Sequence, residues 1–220
     1  LSRKHIMESI DKTLKRVGTD YLDIYFCHRF DPATPVEETA RAMDDLVRKG
    51  KILYWGTSEW TGAQLRQAAA ACDRRNLYFP QVEQPQYNLL SRAKFEADVA
   101  PVCNDLGMGT VVWSPLASGV LTGKYDRGIP GDSRLARMDW LRDGLYTEEK
   151  LARVRAFGER VTNLGVSRTQ LALAWAASHP TVSSVILGAT SLEQLAENLS
   201  ALTVRLPDDL RPELDKIFPA

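Results

Sequence analysis

The apolar positions of this chain alternate between a helical spacing of three to four residues and short, nearly continuous runs, and the alternation recurs along its length. Ile6, Ile10, Leu14 and Val17 fall on one helical stripe, with Ser2 at the capping position and Gly18 at the stop, which predicts an amphipathic helix over 2–17. The stretch 21–31 follows, Tyr-Leu-Asp-Ile-Tyr-Phe-Cys-His-Arg-Phe-Asp. Its middle is rich in β-branched and aromatic residues and reads as a buried strand that Pro32 stops. Thr34-Pro35-Val36-Glu37 reads as a capping box with proline at the first helical position, opening a helix that runs to Lys49 before Gly50. A second strand is expected over 51–57.

The cycle then repeats with different residues in the same roles. Thr61 and Gln64 box a helix reaching Arg74, 78–84 form a third strand, Ser91 opens a helix ending at Leu106 and Gly107, and 109–113 form a fourth strand. The connection over 114–146 contains Gly, Pro and Ser, and loops of that length are uncommon unless they are lids or binding segments. Helices are expected over 148–164 and 168–178, the second boxed by Ser167 and Gln170. A fifth strand over 182–187 and helices over 192–202 and 208–218 complete the chain. Strand–helix units in series require a parallel sheet with helices outside it. Two architectures meet that requirement: an open, doubly wound sheet of five strands, and an α/β (β/α)8 TIM barrel whose first three strands lie upstream of Leu1. No G-x-G-x-x-G follows any strand, which weakens the open sheet as a dinucleotide binder.

Composition narrows the partner more than the fold. A chain of 220 residues can bury a full core as one domain. Its 28 basic and 28 acidic residues balance without a basic stripe, which argues against nucleic acid and anionic membrane surfaces and for a small ligand. Cys27, Cys72 and Cys103 are odd in number and lack C-x-x-C spacing, so they read as reduced, buried thiols of a cytoplasmic protein. No apolar run approaches the length of a membrane span, so no membrane insertion is expected. The chain opens Leu-Ser-Arg-Lys without methionine and is expected to be a fragment of something longer. The composition is compatible with a homo-oligomer.

In a parallel barrel, the residues just past each strand converge on one face. Here they are His28; Ser58 and Glu59; Gln84; Ser114, Pro115, Leu116, Ala117 and Ser118; and Gly188, Ala189 and Thr190. A histidine at a strand end can give a proton or a hydrogen bond to a substrate oxygen, or can be a core histidine bound to a carbonyl. His5, His28 and His179 are far apart and no carboxylate sits at ligand spacing, so no metal site is expected. Without a G-x-S-x-G elbow or a base beside any thiol, redox chemistry borrowed from an organic cofactor fits best. The helix start after Gly188, capped by Thr190 or Ser191, offers free N–H groups to an anion or is a capped helix without a ligand. Trp113 fills the core or offers a face for a ring. Lys124 and Arg134 are solvated charges or phosphate clamps, and the Gln84 amide suits recognition of a carboxamide.

Taken together, several stretches resemble the aldo-keto reductase superfamily, and within it the branch of voltage-gated potassium channel beta subunits and their bacterial reductase relatives. They are 1–5, 21–29, 54–60 (Tyr-Trp-Gly-Thr-Ser-Glu-Trp), 113–117 (Trp-Ser-Pro-Leu-Ala), 121–125 (Leu-Thr-Gly-Lys-Tyr), 183–188 (Ser-Ser-Val-Ile-Leu-Gly) and 193–198 (Glu-Gln-Leu-Ala-Glu-Asn). The resemblance implies that residues 1–220 are the C-terminal two-thirds of a single (β/α)8 barrel domain holding strands 4–8 and binding NADPH/NADP+. It implies reduction of an aldehyde or ketone to an alcohol, with a small carbonyl compound as substrate. By resemblance, His28 orients and polarises the carbonyl, Ser58 and Gln84 hold the nicotinamide carboxamide, and Trp113 stacks on the ring. Ser114, Pro115, Leu116, Ala117, Ser118 and Lys124 match the pyrophosphate loop. Arg134, Gly188, Thr190, Gln194, Glu197 and Asn198 match the adenosine and 2′-phosphate end. The family's aspartate, proton-donating tyrosine and lysine lie on strands this chain does not contain, so the chain alone is expected to be inactive. Channel beta subunits of that branch carry asparagine where this chain has His28, which favours a working reductase over a cofactor-binding regulatory subunit.

Overall fold

The computed structural model describes residues 1–162 and 164–220. Its strands run in the order β1 (Leu22–Cys27), β2 (Ile52–Ser58), β3 (Val82–Gln84), β4 (Gly109–Val112) and β5 (Val182–Val185) in one parallel sheet, each joined to the next through helix. The chain divides into two compact units, Leu1–Pro85 with Phe95–Val111, and Gln86–Lys94 with Val112–Ala220.

In the first unit, α1 (Arg3–Val17) is capped by Ser2, whose hydroxyl accepts the His5 N–H, and Gly18 ends it in the left-handed conformation. Ile6, Ile10 and Leu14 are buried as the stripe predicts, whereas Val17 is 62% exposed in the last turn. α2 (Val36–Arg48) starts differently from its predicted capping box: Pro35 holds the cap position without a side-chain bond. The Thr34 hydroxyl instead donates to Asp31 Oδ2 at 2.8 Å, because Asp31 folds back on its own turn and also takes the Ala33 N–H. α3 (Gly62–Arg75) carries the predicted box, with Thr61 and Gln64 satisfying each other's backbone N–H groups.

The middle of β1 is not the buried strand that its composition predicts. It lies at the end of the strand order and pairs with β2 alone, and Ile24 is 38% exposed. Leu53 and Tyr54 of β2, which has a partner on either side, are 47% and 55% exposed. Only Val82–Gln84 of the predicted third strand is regular; Pro80 cannot donate to a ladder, and the Tyr78 N–H turns to Asp44 Oδ1 at 2.8 Å. The helix expected from Ser91 is displaced as well. Ser91 bridges Asn88, and a π-helical turn over Phe95–Val99 precedes α4 (Ala100–Leu106). Pro101 has no N–H for the i−4 carbonyl, and a wide turn absorbs that missing bond.

The second unit holds Val112, whose carbonyl accepts the Ile186 N–H just past β5 at 2.8 Å. The connection over 114–146 is structured, with a 3-10 segment over Ala117–Thr122, α5 (Arg134–Arg137) and α6 (Asp139–Leu145). α7 (Glu148–Thr162) was expected to reach Leu164 through Asn163, which lies outside the described residues. α8 (Arg168–Ala177) has its predicted Ser167–Gln170 box, α9 (Leu192–Ser200) passes into a 3-10 turn, and α10 (Leu210–Ile217) follows. The core is aromatic: Trp175 stacks on Tyr87 with centroids 4.9 Å apart, and Phe157 meets Phe218 edge-on at 5.8 Å.

Candidate functional site

The parallel register sets the first group of side chains. Cys27 pairs with Thr57 and Ser58 with Gln84, so the residues following β1 and ending β2 and β3 stand side by side. Ser58 is buried and its hydroxyl donates to the Gln84 carbonyl at 2.9 Å. The half-buried Gln84 side-chain amide makes no hydrogen bond among the described residues, which leaves both its donor and its acceptor for another group. His28 is exposed, just beyond the last pair. Arg29, which the sequence did not single out, bends back so that its Nη1 donates to the His28 carbonyl at 2.5 Å and reaches Ser58 Oγ at 3.5 Å.

Beneath these residues lies a buried carboxylate. Glu83 is wholly buried; it accepts the Thr57 hydroxyl on one oxygen and the Trp60 N–H, at 3.2 Å, on the other. It therefore ties the end of β2 and the start of the following turn to β3, holding Thr57 and Trp60 on either side of Ser58 and Glu59. Glu59 between them has φ 60, a left-handed conformation that costs a non-glycine residue free energy. Alternation places Glu83 on the face opposite Gln84, the one sequence signal for its separate role.

The second unit gathers a different set. The Trp113 carbonyl accepts the Tyr87 N–H at 3.3 Å, and the buried Asn88 amide donates to the Ser114 carbonyl at 2.9 Å. Ser114, Ala117 and Ser118 all have positive φ (56, 48 and 56), in a run whose Pro115 and Ala117 are buried and whose Leu116 is half-buried. Such non-glycine strain clusters where a backbone must present itself to a ligand. Lys124 lies directly over this run: a Cβ at Gly119 would meet its Cε at 2.6 Å and Nζ at 2.7 Å. The ammonium also stands 5.0 Å from the centre of the Tyr125 ring. The structure thus brings Lys124 to the Ser118–Gly119 turn.

The third group surrounds α9. Ser191 is its cap, accepting the Gln194 N–H at 3.2 Å, while Gln194 Oε1 accepts both the Thr190 N–H at 2.9 Å and its hydroxyl at 3.1 Å. Asn198 is buried and donates to the Gly188 carbonyl at 3.2 Å, and Glu197 accepts from Ser167 Oγ at 2.6 Å. The sequence leaves two readings here, free N–H groups offered to an anion or a capped helix without a ligand. In the structure the N–H groups are largely taken: the Glu193 carboxylate bonds the Ser191 hydroxyl and its own N–H, which holds its pKa below the usual range. An incoming anion would have to displace that exposed side chain. Arg134 begins α5 and is exposed.

The three thiols are buried, and burial pushes each of them up to about 12, so none is a nucleophile near neutral pH. Among the described residues no group of His, Cys, Asp and Glu is arranged to hold a metal ion, and no helix is long and apolar enough to cross a membrane.

A parallel ladder joined through helices, with polar side chains at the carboxyl ends of its strands, is an α/β scaffold. Residues 1–218 match the family model described as "Aldo/keto reductase family". A protein from Oryza sativa subsp. japonica described as "Probable voltage-gated potassium channel subunit beta" is 49% identical over 207 residues, covering 93% of this chain and 63% of that protein. One from Arabidopsis thaliana with the same description is 48% identical, with the same coverage. A "Putative voltage-gated potassium channel subunit beta" from Schizosaccharomyces pombe is 45% identical over 220 residues, covering 98% of this chain and 63% of that protein. The chain belongs to the aldo/keto reductase family, and its strand–helix order is that of part of the family's (β/α)8 fold. It spans 63% of the length of these curated relatives.

Proposed function

We propose that the full-length polypeptide reduces an aldehyde or ketone to an alcohol with NADPH, and that this chain supplies one part of a single barrel domain. The observation that carries the reading is the group at the ends of β1, β2 and β3: an exposed His28 beside a buried Ser58 and a Gln84 amide with both hydrogen-bonding functions open. A carboxamide presents an NH2 donor group and a carbonyl acceptor, which matches that amide. The strained Ser114–Ser118 run beneath Lys124 suits a phosphate, being an exposed cation over backbone held in an unusual conformation. NADPH, when bound, supplies the hydride. His28 is placed to donate a hydrogen bond to the carbonyl oxygen and polarise it, Ser58 and Gln84 orient the nicotinamide end, and Trp113 offers its ring as a stacking face. The proton comes from the tyrosine that the resemblance assigns to a strand outside this chain. Arg134, Gly188, Thr190, Gln194, Glu197 and Asn198 stay with the adenosine end in this reading, and the three buried thiols suit a reducing cytoplasm.

A cofactor-binding regulatory subunit of a potassium channel is the second reading, and the descriptions of the relatives support it. His28→Asn in the full-length polypeptide separates the two. With an aldehyde panel and NADPH consumption as readout, we expect NADP+ affinity to change less than about two-fold and turnover to fall by about 10²-fold, the scale of one lost proton or hydrogen-bond contributor. NADP+ binding without reduction of any aldehyde by the unaltered protein would defeat the enzyme reading. Equal turnover in both proteins would remove His28 from the chemistry.

A further inference from the structure

The turn that carries Lys124 is held by a side chain that no part of the proposed cofactor contact set includes. Arg168 is the first residue of α8, and its Nη1 donates to Asp126 Oδ2 at 2.6 Å, across 42 residues of sequence. Two glycines make room for its guanidinium. Gly123, at φ +81, closes the 3-10 segment, and a Cβ there would overlap Nη1 and Cζ; a Cβ at Gly158, inside α7, would overlap Nη2, Cζ and Nε. Glycine inside a helix is otherwise destabilising relative to alanine, so its presence at 158 is accounted for by the space it leaves. The other oxygen of Asp126, Oδ1, is buried and has no hydrogen-bond partner among the described residues. Arg168 is thus the neutralising partner of a half-buried carboxylate, and its planar fork reaches the Lys124 turn while lying against α7.

Lys124 is bracketed by this arrangement, one residue after Gly123 and two before Asp126. Its own N–H bonds the Thr122 hydroxyl at 3.3 Å, and its stem crosses Gly119. We propose that Arg168 is a positioning residue for Lys124: acting through Asp126, it holds the 122–126 turn so that the ammonium stays over the Ser114–Gly119 run and retains a bound pyrophosphate. The proposal rests on the reading of this chain as an NADP(H) binder. The guanidinium is the peg, and the two glycines are the hole it fits.

A double-mutant cycle on the full-length polypeptide tests it, with NADP+ as the probe and both affinity and dissociation rate as readouts. Asp126→Asn keeps the shape of the side chain and removes its charge, Arg168→Met keeps much of the stem, and Gly158→Ala pushes the guanidinium from the opposite side without removing either charge of the ion pair. Each is expected to weaken NADP+ binding by about ten-fold, mostly through faster dissociation. In a Lys124→Met background the same changes should alter affinity by less than about two-fold, because the group they position is gone. The same factor in both backgrounds, or unchanged nucleotide affinity with a lowered melting temperature, would reduce Arg168 to a structural tie and overturn the proposal. Failure of the unaltered protein to bind NADP+ would overturn the cofactor reading itself, and this inference with it.

Discussion

The end of β2 and β3 in the first unit and the 114–124 run in the second both carry candidate cofactor residues, and they hold them by opposite means. At Ser58 and Gln84 the backbone is regular ladder, and position comes from strand register, the Ser58–Gln84 bond and the buried Glu83 that fastens Thr57 and Trp60. At Ser114, Ala117 and Ser118 three non-glycine residues sit in the left-handed region, and position comes from what surrounds them: the Asn88 amide on Ser114, Lys124 across Gly119, and Arg168 between two glycines. The first arrangement is stiff because its own hydrogen bonds favour it. The second persists because its neighbours outweigh a local cost of about 1–2 kcal/mol per left-handed residue. Substitutions should therefore act differently in the two places.

The largest effect is expected at Glu83. Glu83→Leu leaves the Thr57 hydroxyl and the Trp60 N–H buried without an acceptor, which at about 1–3 kcal/mol for each orphaned group should cost roughly 2–6 kcal/mol in denaturant unfolding. Glu83→Gln retains an acceptor oxygen and should cost clearly less; equal losses would show that the carboxylate does not tie these strands together. Gly56→Ala comes next, at about 1–3 kcal/mol, because the new Cβ would lie 2.6 Å from the Val82 carbonyl oxygen and 2.5 Å from its Cγ1, and backbone cannot step aside as a flexible side-chain end can. A neutral Gly56→Ala would mean that β2 and β3 are less rigidly paired than described.

A matched pair of glycine substitutions reads the contrast most directly. Ser58→Gly should destabilise by about 1 kcal/mol through the lost bond to Gln84 and added backbone freedom. Ser118→Gly, at φ 56, relieves left-handed strain and should be neutral or stabilising by up to about 1 kcal/mol. The comparison fails if both changes have the same sign.

The smallest effect near neutral pH concerns the thiols, all three of which lie in the first unit. Their folded pKa of about 12 exceeds the unfolded value near 9, so the folded state binds more protons in between; their contribution is fully present below pH about 9 and is lost as pH rises towards 12. Iodoacetamide at pH 8 should leave Cys27, Cys72 and Cys103 unmodified in the folded protein and label all three in denaturant, with mass spectrometry as the readout. Rapid labelling of any one of them in the native state would show that its environment opens.

Much of the ladder was legible from periodicity and capping chemistry, because those signals act within a few residues. The stripe Ile6, Ile10, Leu14 and the boxes at Thr61–Gln64 and Ser167–Gln170 appear in the structure as read. The Thr34 box does not, since Asp31 claims the Thr34 hydroxyl, and a short motif cannot show which of two neighbours wins. The exposure of Ile24, Leu53 and Tyr54 was equally hidden, because a strand's composition does not reveal what covers its faces.

The same division runs through the candidate site. His28, Ser58, Gln84 and the 114–118 run could be picked out because each ends or follows a strand. The parts that hold them could not. Glu83 bonds across 26 and 23 residues, Asn88 across 26 and Arg168 across 42, and nothing in the local sequence names those partners. The chain by itself determined the order of strands and helices and the residues that follow each strand, since both arise from short-range periodicity. Only the tertiary structure decided which buried charge fastens which turn and why Gly123 and Gly158 are glycines, because those depend on atoms far apart in sequence competing for the same few ångströms of space.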